Sequence, residues 1–311
     1  MIKKNKIVAI QADRLDSMNI KTDTTILLAL EAQKRGFRIF CYETKNLSFI
    51  NGKVYALSKE VTFKINAKNF YTIKNIKKLD LSKVNYILMR QNPPFNMNYI
   101  TATFLLEKIS KKVRIINDPT SVRNIPEKLH SIEFLKLMPP TIFTKDIKEI
   151  EKFKKKYKKI VVKPTHGYGG KNILFIDSNL NRNKMSKYIK KHDYVMVQKF
   201  LPQIKYGDKR VFIIAGKIKG AIRRIPVKGS ILSNIGQGGK AVKTNLTKSE
   251  LHIAKIVAKN LKRNKIVFAG IDLISNYLIG DINITSPTGL KNFKDLTGIN
   301  LAVDFWNYLE N

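Results

Sequence analysis

Acidic side chains are scarce in this 311-residue chain, 23 Asp and Glu against 59 Lys and Arg. An acid set inside an apolar stretch is therefore informative. Asp272 is one, within Ala269-Gly270-Ile271-Asp272-Leu273-Ile274. Asp281 is another, and Asn283 follows two residues later in the apolar run from Tyr277 to Ile284. A strand has period two, so Asp281 and Asn283 share a face. Hard oxygen donors on adjacent strands suit Mg2+, which keeps several waters and bridges nucleotide phosphates. Ile282 and Ile284 take the other face, so the pattern alone equally describes polar residues turned to solvent on a half-buried strand.

Lys163 ends a strand before Pro164, and Thr165-His166-Gly167-Tyr168-Gly169-Gly170-Lys171 follows. Glycines let the backbone approach anionic oxygens closely, and a lysine supplies a point charge. Together they point to phosphate binding, whereas Lys163 alone reads equally as an exposed strand end. A strand follows these glycines, not the helix that a Walker loop or Rossmann turn requires. Gly207-Asp208-Lys209-Arg210 is a turn entering a strand, where Arg210 is either a phosphate or carboxylate clamp or an ordinary edge residue. Gly236-Gln237-Gly238-Gly239 lies in a second flexible loop.

Alternating strand and helix patterns must position these groups, which predicts an α/β architecture. Lys6 to Gln11, Phe37 to Tyr42, Tyr86 to Met89 and Val113 to Asn117 read as strands. Thr22 to Arg35 and Tyr99 to Ile109 read as helices, with Gly36 at a left-handed cap. Asn51-Gly52 is a hairpin signal. Residues 1–124 thus read as a doubly wound domain, whose ligands belong beyond the carboxyl ends of the strands, where Gln11 and Arg90 stand. From about residue 125 the texture changes. Lys159 to Val162, Asn172 to Ile176, Tyr194 to Phe200, Arg210 to Ala215, Ile218 to Arg224, Ile266 to Leu273 and Tyr277 to Ile284 read as strands. Thr247 to Arg263 and Leu301 to Leu309 read as helices, the first opening with capping-box spacing at Thr247 and Glu250.

The formal net charge of +36 invites a nucleic-acid partner. The lysines, however, are spread through the chain among Ile and Asn, and no aromatic-rich nucleic-acid motif accompanies them. The run from Lys152 to Lys159 reads as a solvated helix face. No apolar run reaches the length of a membrane span, about 18 residues. Met1 to Ile10 is basic then apolar, but the apolar part is short and Gln11 and Asp13 follow, which predicts a strand rather than an export signal. Cys41 is the sole cysteine, in keeping with a cytoplasmic location.

Several longer segments, taken together and in order, carry a resemblance. They are Asn19-Ile20-Lys21-Thr22-Asp23, Glu31-Ala32-Gln33-Lys34-Arg35-Gly36, Ile87-Leu88-Met89-Arg90-Gln91-Asn92-Pro93-Pro94-Phe95, Leu201-Pro202, Gly207-Asp208-Lys209-Arg210, Arg224-Ile225-Pro226 and Asp281-Ile282-Asn283-Ile284-Thr285-Ser286-Pro287-Thr288. Over nearly the whole chain they resemble bacterial glutathione synthetase, of the ATP-grasp superfamily. The resemblance implies a preATP-grasp substrate-binding domain over 1–124, a central ATP-grasp lobe over 125–201 and a C-terminal lobe over 202–311. It implies ATP-dependent ligation of γ-glutamylcysteine and glycine through an acyl phosphate. Another carboxylate–amine ligase of the superfamily, or a homologue that binds nucleotide without turnover, are the alternatives.

By position, the resemblance implies that Lys128, Lys163, Gly167, Gly169, Gly170, Gln198, Lys199, Phe200, Leu201 and Asp208 bind ATP. Asp272, Asp281 and Asn283 would hold two Mg2+ or Mn2+ ions, and Arg210 would face the reacting group. Asn19, Lys21, Asp23, Arg90, Arg210, Ser286 and Thr288 would bind substrate. Residues 229–240, with Gly236, Gly238 and Gly239, would form a lid. A homotetramer is implied as well. The chain departs from the family pattern with Asp281 for the usual Glu, about 1.5 Å shorter in reach, and at His166, Leu232 and Asn96.

Overall fold

The computed structural model describes residues 6–65 and 69–311, so the first five residues of the basic start lie outside it. Three sheets carry the chain. The first contains β1 (Ile7–Gln11), β2 (Arg38–Tyr42), β3 (Leu47–Ile50), β4 (Lys53–Phe63), β5 (Tyr71–Asp80), β6 (Tyr86–Met89) and β7 (Arg114–Ile116). β2, β1, β6 and β7 are parallel neighbours in that order. The chain leaves β1 to one side and returns to its other side, so a switch point opens between the carboxyl ends of β1 and β6. Arg90 lies there, its backbone N–H on the Gln11 carbonyl at 2.7 Å. The expected Asn51-Gly52 hairpin joins β3 to β4, with both residues at positive φ (48° and 76°). The long β4–β5 hairpin, which extends this sheet antiparallel, was not anticipated from the sequence.

Helix α1 (Thr24–Lys34) begins two residues after the expected Thr22, because the Asp23 carboxylate accepts from the Thr25 and Ile26 N–H groups and satisfies two orphan donors there. It ends at Gly36, with φ at 82°. α2 (Met97–Glu107) and α3 (Pro119–Asn124) follow in the first region. Asn96 is the N-cap of α2 and accepts from the Tyr99 N–H at 3.1 Å. The departure at that position therefore has a local structural use.

The second sheet is antiparallel, in the order β10 (Leu174–Ile176), β9 (Ile160–Pro164), β11 (Val195–Lys199), β8 (Thr141–Thr144). α4 (Ile147–Tyr157) and α5 (Arg182–His192) cover it, burying Ile150, Phe153 and Met185. The lysine run falls on α4, where Phe153 turns inward and Lys152, Lys155 and Lys156 are exposed. The third sheet runs β14 (Lys240–Lys243), β13 (Lys217–Ile225), β12 (Asp208–Ile214), β15 (Phe268–Ile274), β16 (Tyr277–Asn283), all antiparallel. α6 (Lys248–Arg263) packs on it through Ile253, Ala254, Val257 and Leu261. Its capping box is complete: Thr247 accepts from the Glu250 N–H and Glu250 accepts from the Thr247 N–H. α7 (Leu290–Thr297) and α8 (Leu301–Glu310) close the chain.

Two contacts tie the third sheet and the chain end to the first sheet. Trp306 of α8 is fully buried, donates its indole N–H to the Leu28 carbonyl (2.8 Å) and meets Phe37 and Tyr86 edge-on. Asn117, just past β7, uses both ends of its buried amide. Its nitrogen donates to the Phe268 and Ile284 carbonyls (2.8 and 2.6 Å), and its oxygen accepts from the Val267 and Phe268 N–H groups (2.9 Å each).

Candidate active site

Between the second and third sheets lies a cleft of about 890 Å³. One end is apolar, walled by Val161, Ile173, Phe200, Leu201, Ile204, Ile274 and Ile279. Gln198, at the edge of this end, is buried and donates to the Thr141 hydroxyl at 3.0 Å. The other end is charged. β9 ends at Lys163, whose ammonium donates to the Ile279 carbonyl (2.9 Å) and to Asp281 (3.2 Å). Lys128 reaches the other oxygen of the same carboxylate at 3.2 Å, and donates to Glu127 (2.6 Å) and the Gly167 carbonyl (2.7 Å). Burial opposes ionisation of Asp281, but the Lys163 and Lys128 ammoniums outweigh it and hold the carboxyl well below its usual range. Burial also acts against the charge on Lys128, yet Glu127 and Asp281 raise its affinity for the proton.

A second pair of cations faces a second pair of acids. Arg210 of β12 forks onto Asp272 of β15 through Nε and through Nη2 at 2.9 Å. Arg224 of β13 bridges Asp208, which it grips with Nε at 2.8 Å, and Asp272, at 2.8 Å. All four are buried. Gly270 makes the fork possible: a Cβ there would stand 2.8 Å from Arg210 Cδ. Asn283 joins the two halves. Its amide is satisfied at both ends with the nitrogen on Glu127 Oε2 (3.0 Å) and the oxygen on Arg210 Nη2 (3.1 Å). The pattern left open whether Asp272, Asp281 and Asn283 face solvent. They line this cleft together.

A wider opening of about 1230 Å³ continues from the charged end, bordered by Glu127, Arg210 and Asn283 on one side and by Asn19, Asp23, Asn92, Ser286 and Thr288 on the other. A small recess of about 340 Å³ on the same side contains Arg90, Asp13, Asp23, Ser286 and Thr288. Arg90 is buried, donates to the Thr25 hydroxyl (3.1 Å) and the Pro287 carbonyl (2.9 Å), and among the described residues has no carboxylate in hydrogen-bond contact. Its Nη1 is buried without a partner. Burial pushes this guanidinium down to about 10, with Asp23 pulling the other way, so it remains charged at neutral pH. The Ser286 hydroxyl donates to the Arg90 carbonyl at 3.1 Å, and the Thr288 carbonyl faces Arg210 at 3.4 Å.

Residues 231–234, in the segment expected to form a lid, are part of the cleft wall and touch the glycine-rich loop. A Cβ on Gly170 would stand 2.7 Å from the Asn234 side chain, and Gln237 donates to the Gly169 carbonyl at 3.4 Å. Gly238 closes a short helical turn at φ 90°, and a Cβ on Gly239 would collide with the Ser233 carbonyl at 2.1 Å.

The prokaryotic glutathione synthetase models match this chain twice, the N-terminal domain over residues 7–123 and the ATP-grasp domain over 127–298. The chain belongs to the prokaryotic glutathione synthetase family. The glutathione synthetase of Mesorhizobium japonicum is 39% identical to it, with 97% of each chain covered. That of Agrobacterium fabrum is 38% identical over 99% of this chain and 97% of its own, and that of Buchnera aphidicola is 33% identical over 99% and 98%. Among solved structures, D-cycloserine synthetase superposes with a TM-score of 0.67 at 13% identity, covering 97% of this chain and 99% of its own. D-alanyl-alanine synthetase A from Vibrio cholerae superposes at 0.63 and 13%, covering all of both chains. At such identities these two show the fold alone, which is the ATP-grasp fold.

The nucleotide-side residues named from sequence converge on one cleft: Lys128, Lys163, Gly167, Gly169, Gly170, Gln198 to Leu201, Asp208 and Arg210 all line it. Asn19, Asp23, Arg90, Ser286 and Thr288 gather on the other side. Lys21 is exposed and lines neither the cleft nor the adjoining openings. Gln11 is buried and does not border them either. Glu127 and the ion-pairing role of Arg224 were missed. The sequence signal for Glu127 was its place beside Lys128 in an acid-poor chain; nothing in strand periodicity marks it, because it stands in a connecting segment.

Proposed function

We propose that the chain joins the cysteinyl carboxylate of γ-glutamylcysteine to the amine of glycine in this cleft, converting ATP to ADP and phosphate. As a member of its family it is an ATP-dependent carboxylate–amine ligase. One observation carries the site assignment: a single cleft with an apolar end for a purine and a charged end where four carboxylates, Glu127, Asp281, Asp272 and Asp208, alternate with four cations, Lys128, Lys163, Arg210 and Arg224. The charges already compensate one another. Phosphates arriving with Mg2+ can exchange for the shared pairs, Lys128 and Lys163 turning to phosphate and Asp281 and Asp272 to metal, without stranding a buried charge.

The donor set fits Mg2+. Asp272, Asp281 and Asn283 offer hard oxygens on one wall, and burial together with Asp281 and Asp272 raises the proton affinity of Glu127 against the pull of Lys128. That mutual repulsion is what a bound cation relieves. Among the described residues no three acidic, His or Cys side chains make a ready metal cage, as suits an ion that takes much of its shell from phosphates and water. Asp272, Asp281 and Asn283 would hold the metal, two Mg2+ or Mn2+ ions in this proposal, which supplies charge neutralisation on the phosphates.

A carboxylate does not condense with an amine at neutral pH, so one oxygen must first become a leaving group. A carboxylate oxygen of γ-glutamylcysteine attacks the γ-phosphorus of ATP, the bond to the bridging oxygen breaks and ADP leaves. The glycine nitrogen then attacks the acyl carbon, the bond to the phosphate oxygen breaks, and phosphate and a proton depart. Lys128 and Lys163 hold the phosphates, and Arg210 faces the oxygens on which charge develops. Arg90 holds a substrate carboxylate, its missing counter-ion, with Asn19 and Asp23 nearby. Ser286 and Thr288 border the glycine side. The lid of residues 229–240 keeps water from the acyl phosphate. The test is ADP release with each substrate omitted in turn: the proposal expects release only when both γ-glutamylcysteine and glycine are present. A folded protein that releases ADP with neither, or with a different amine only, overturns it.

A further inference from the structure

Glu127 has no role in the steps above, yet it touches two residues that do. It lies outside every strand, between α3 and the helical turns that start at Leu129, and reaches into the place where the nucleotide cleft opens into the substrate side. One carboxylate oxygen accepts from Lys128 at 2.6 Å. The other lies 3.0 Å from the Asn283 amide and accepts from its nitrogen in the orientation that gives this amide a partner at both ends.

An asparagine amide is two-faced: only its oxygen can ligate a cation, and its nitrogen can only donate. Which end faces the metal side is decided by what holds the other end. Asp281 has two equivalent oxygens and needs no such control. We propose that Glu127 is a positioning residue for the phosphoryl-transfer site. By accepting from the Asn283 nitrogen it turns the oxygen toward Arg210, and by accepting from Lys128 it holds that ammonium at the charged end of the cleft, where the phosphates arrive. This is the orienting job that outer hydrogen-bond partners perform for metal ligands elsewhere, where their loss costs about 10- to 100-fold in affinity. The inference rests on the placement of the metal at Asn283, and the experiment separates the two claims.

Mn2+ binding in the presence of ADP, read by the electron paramagnetic resonance signal of free Mn2+, needs no turnover. Glu127→Gln is nearly isosteric and leaves an amide that can donate or accept, so the preference is lost. The expected result is about a 10- to 100-fold weaker Mn2+ affinity with ADP affinity in the absence of metal changed far less. In an Asn283→Asp background both oxygens at position 283 can ligate, so Glu127→Gln should weaken Mn2+ binding no further and should relieve the repulsion between the two acids. Unchanged Mn2+ affinity in the single variant overturns the proposal. So does an equal further loss in the Asn283→Asp background, the outcome of a merely structural role, which also covers a variant that is partly misfolded. A wild-type chain that binds no Mn2+ with ADP overturns the metal placement as well, whereas failure of the Glu127 variant alone leaves that placement standing.

Discussion

Arg90 shows at the residue scale how a site can be written in a deficit. A guanidinium that is buried, short of one hydrogen bond and without a contacting carboxylate is held at a cost to folding. In the proposed reaction a substrate carboxylate repairs it. Arg90→Met should therefore raise the thermal midpoint of the ligand-free protein, read by calorimetry, while raising the KM for γ-glutamylcysteine by about 10- to 150-fold, the worth of a charged hydrogen bond of about 1.5 to 3 kcal/mol. A variant that melts earlier and binds as before would show that Arg90 serves the fold instead. Asp281 makes the opposite case, since its carboxylate already has two ammonium partners. Asp281→Ala should lower kcat by about 10²- to 10³-fold and yet strengthen binding of metal-free ATP, because Lys128 and Lys163 lose the acid they share. Isothermal titration with and without Mg2+ reads both, and weaker binding of metal-free ATP would speak against the charge exchange.

Among the elements, the proposed lid is the part whose geometry depends most on glycine. The left-handed turn at Gly238 and the close approach of Gly239 to the Ser233 carbonyl fold residues 231–239 back toward the glycine-rich loop. Gly239→Ala should spoil this closure and let water reach the acyl phosphate. The expected outcome is more ADP released than tripeptide formed, measured as the ratio of the two products, and a ratio that stays at unity contradicts the lid assignment. The strands and helices that carry the site were largely legible in the sequence. Periodicity and caps located β1, β2, β6, α1, β12, β13, α6, β15 and β16 to within a few residues, because each is a run rich in apolar residues bounded by turn or cap signals such as Gly36 after α1 and Thr247 before α6. The β4–β5 hairpin was less visible: β5 is mostly exposed, so its side chains alternate without an apolar face to reveal it. Within the site, the strand residues Asp272, Asp281, Asn283 and Arg210 could be suspected from their neighbours. Glu127 had only its place beside Lys128 to mark it, and the Arg210–Asp272–Arg224–Asp208 network had less, because its pairings depend on strand register and sheet order: Asp208 meets Arg224 across the β12–β13 hairpin, whereas Asp272 comes from β15, far along the chain. Asp272 to Arg210 is a cross-strand register.

Across the whole molecule, the catalytic parts come from every sheet and must be held in common register. Asn117 does much of that holding, with four hydrogen bonds from one buried amide to both sides of the β15–β16 region. Asn117→Ala leaves four backbone groups unpaired and should destabilise the protein by about 3 kcal/mol or more in denaturant titration. Retention of full stability would mean that the regions are held together elsewhere, with Trp306 and α8 as the leading contact. The surplus of positive charge is spread over the outer helices, as on α4, whereas at the charged end of the cleft four acids face four buried bases, with Lys171 and Lys199 exposed at its edge. The field of the molecule therefore favours anionic substrates without making the site itself a bare cation patch. The account stands on one chemical event in that cleft, transfer of a phosphoryl group to the substrate carboxylate before the amide forms. Its most direct test uses γ-glutamylcysteine labelled with 18O in the cysteinyl carboxylate, with ATP, Mg2+ and glycine. The account predicts one labelled oxygen in each inorganic phosphate released, and unlabelled phosphate would contradict it.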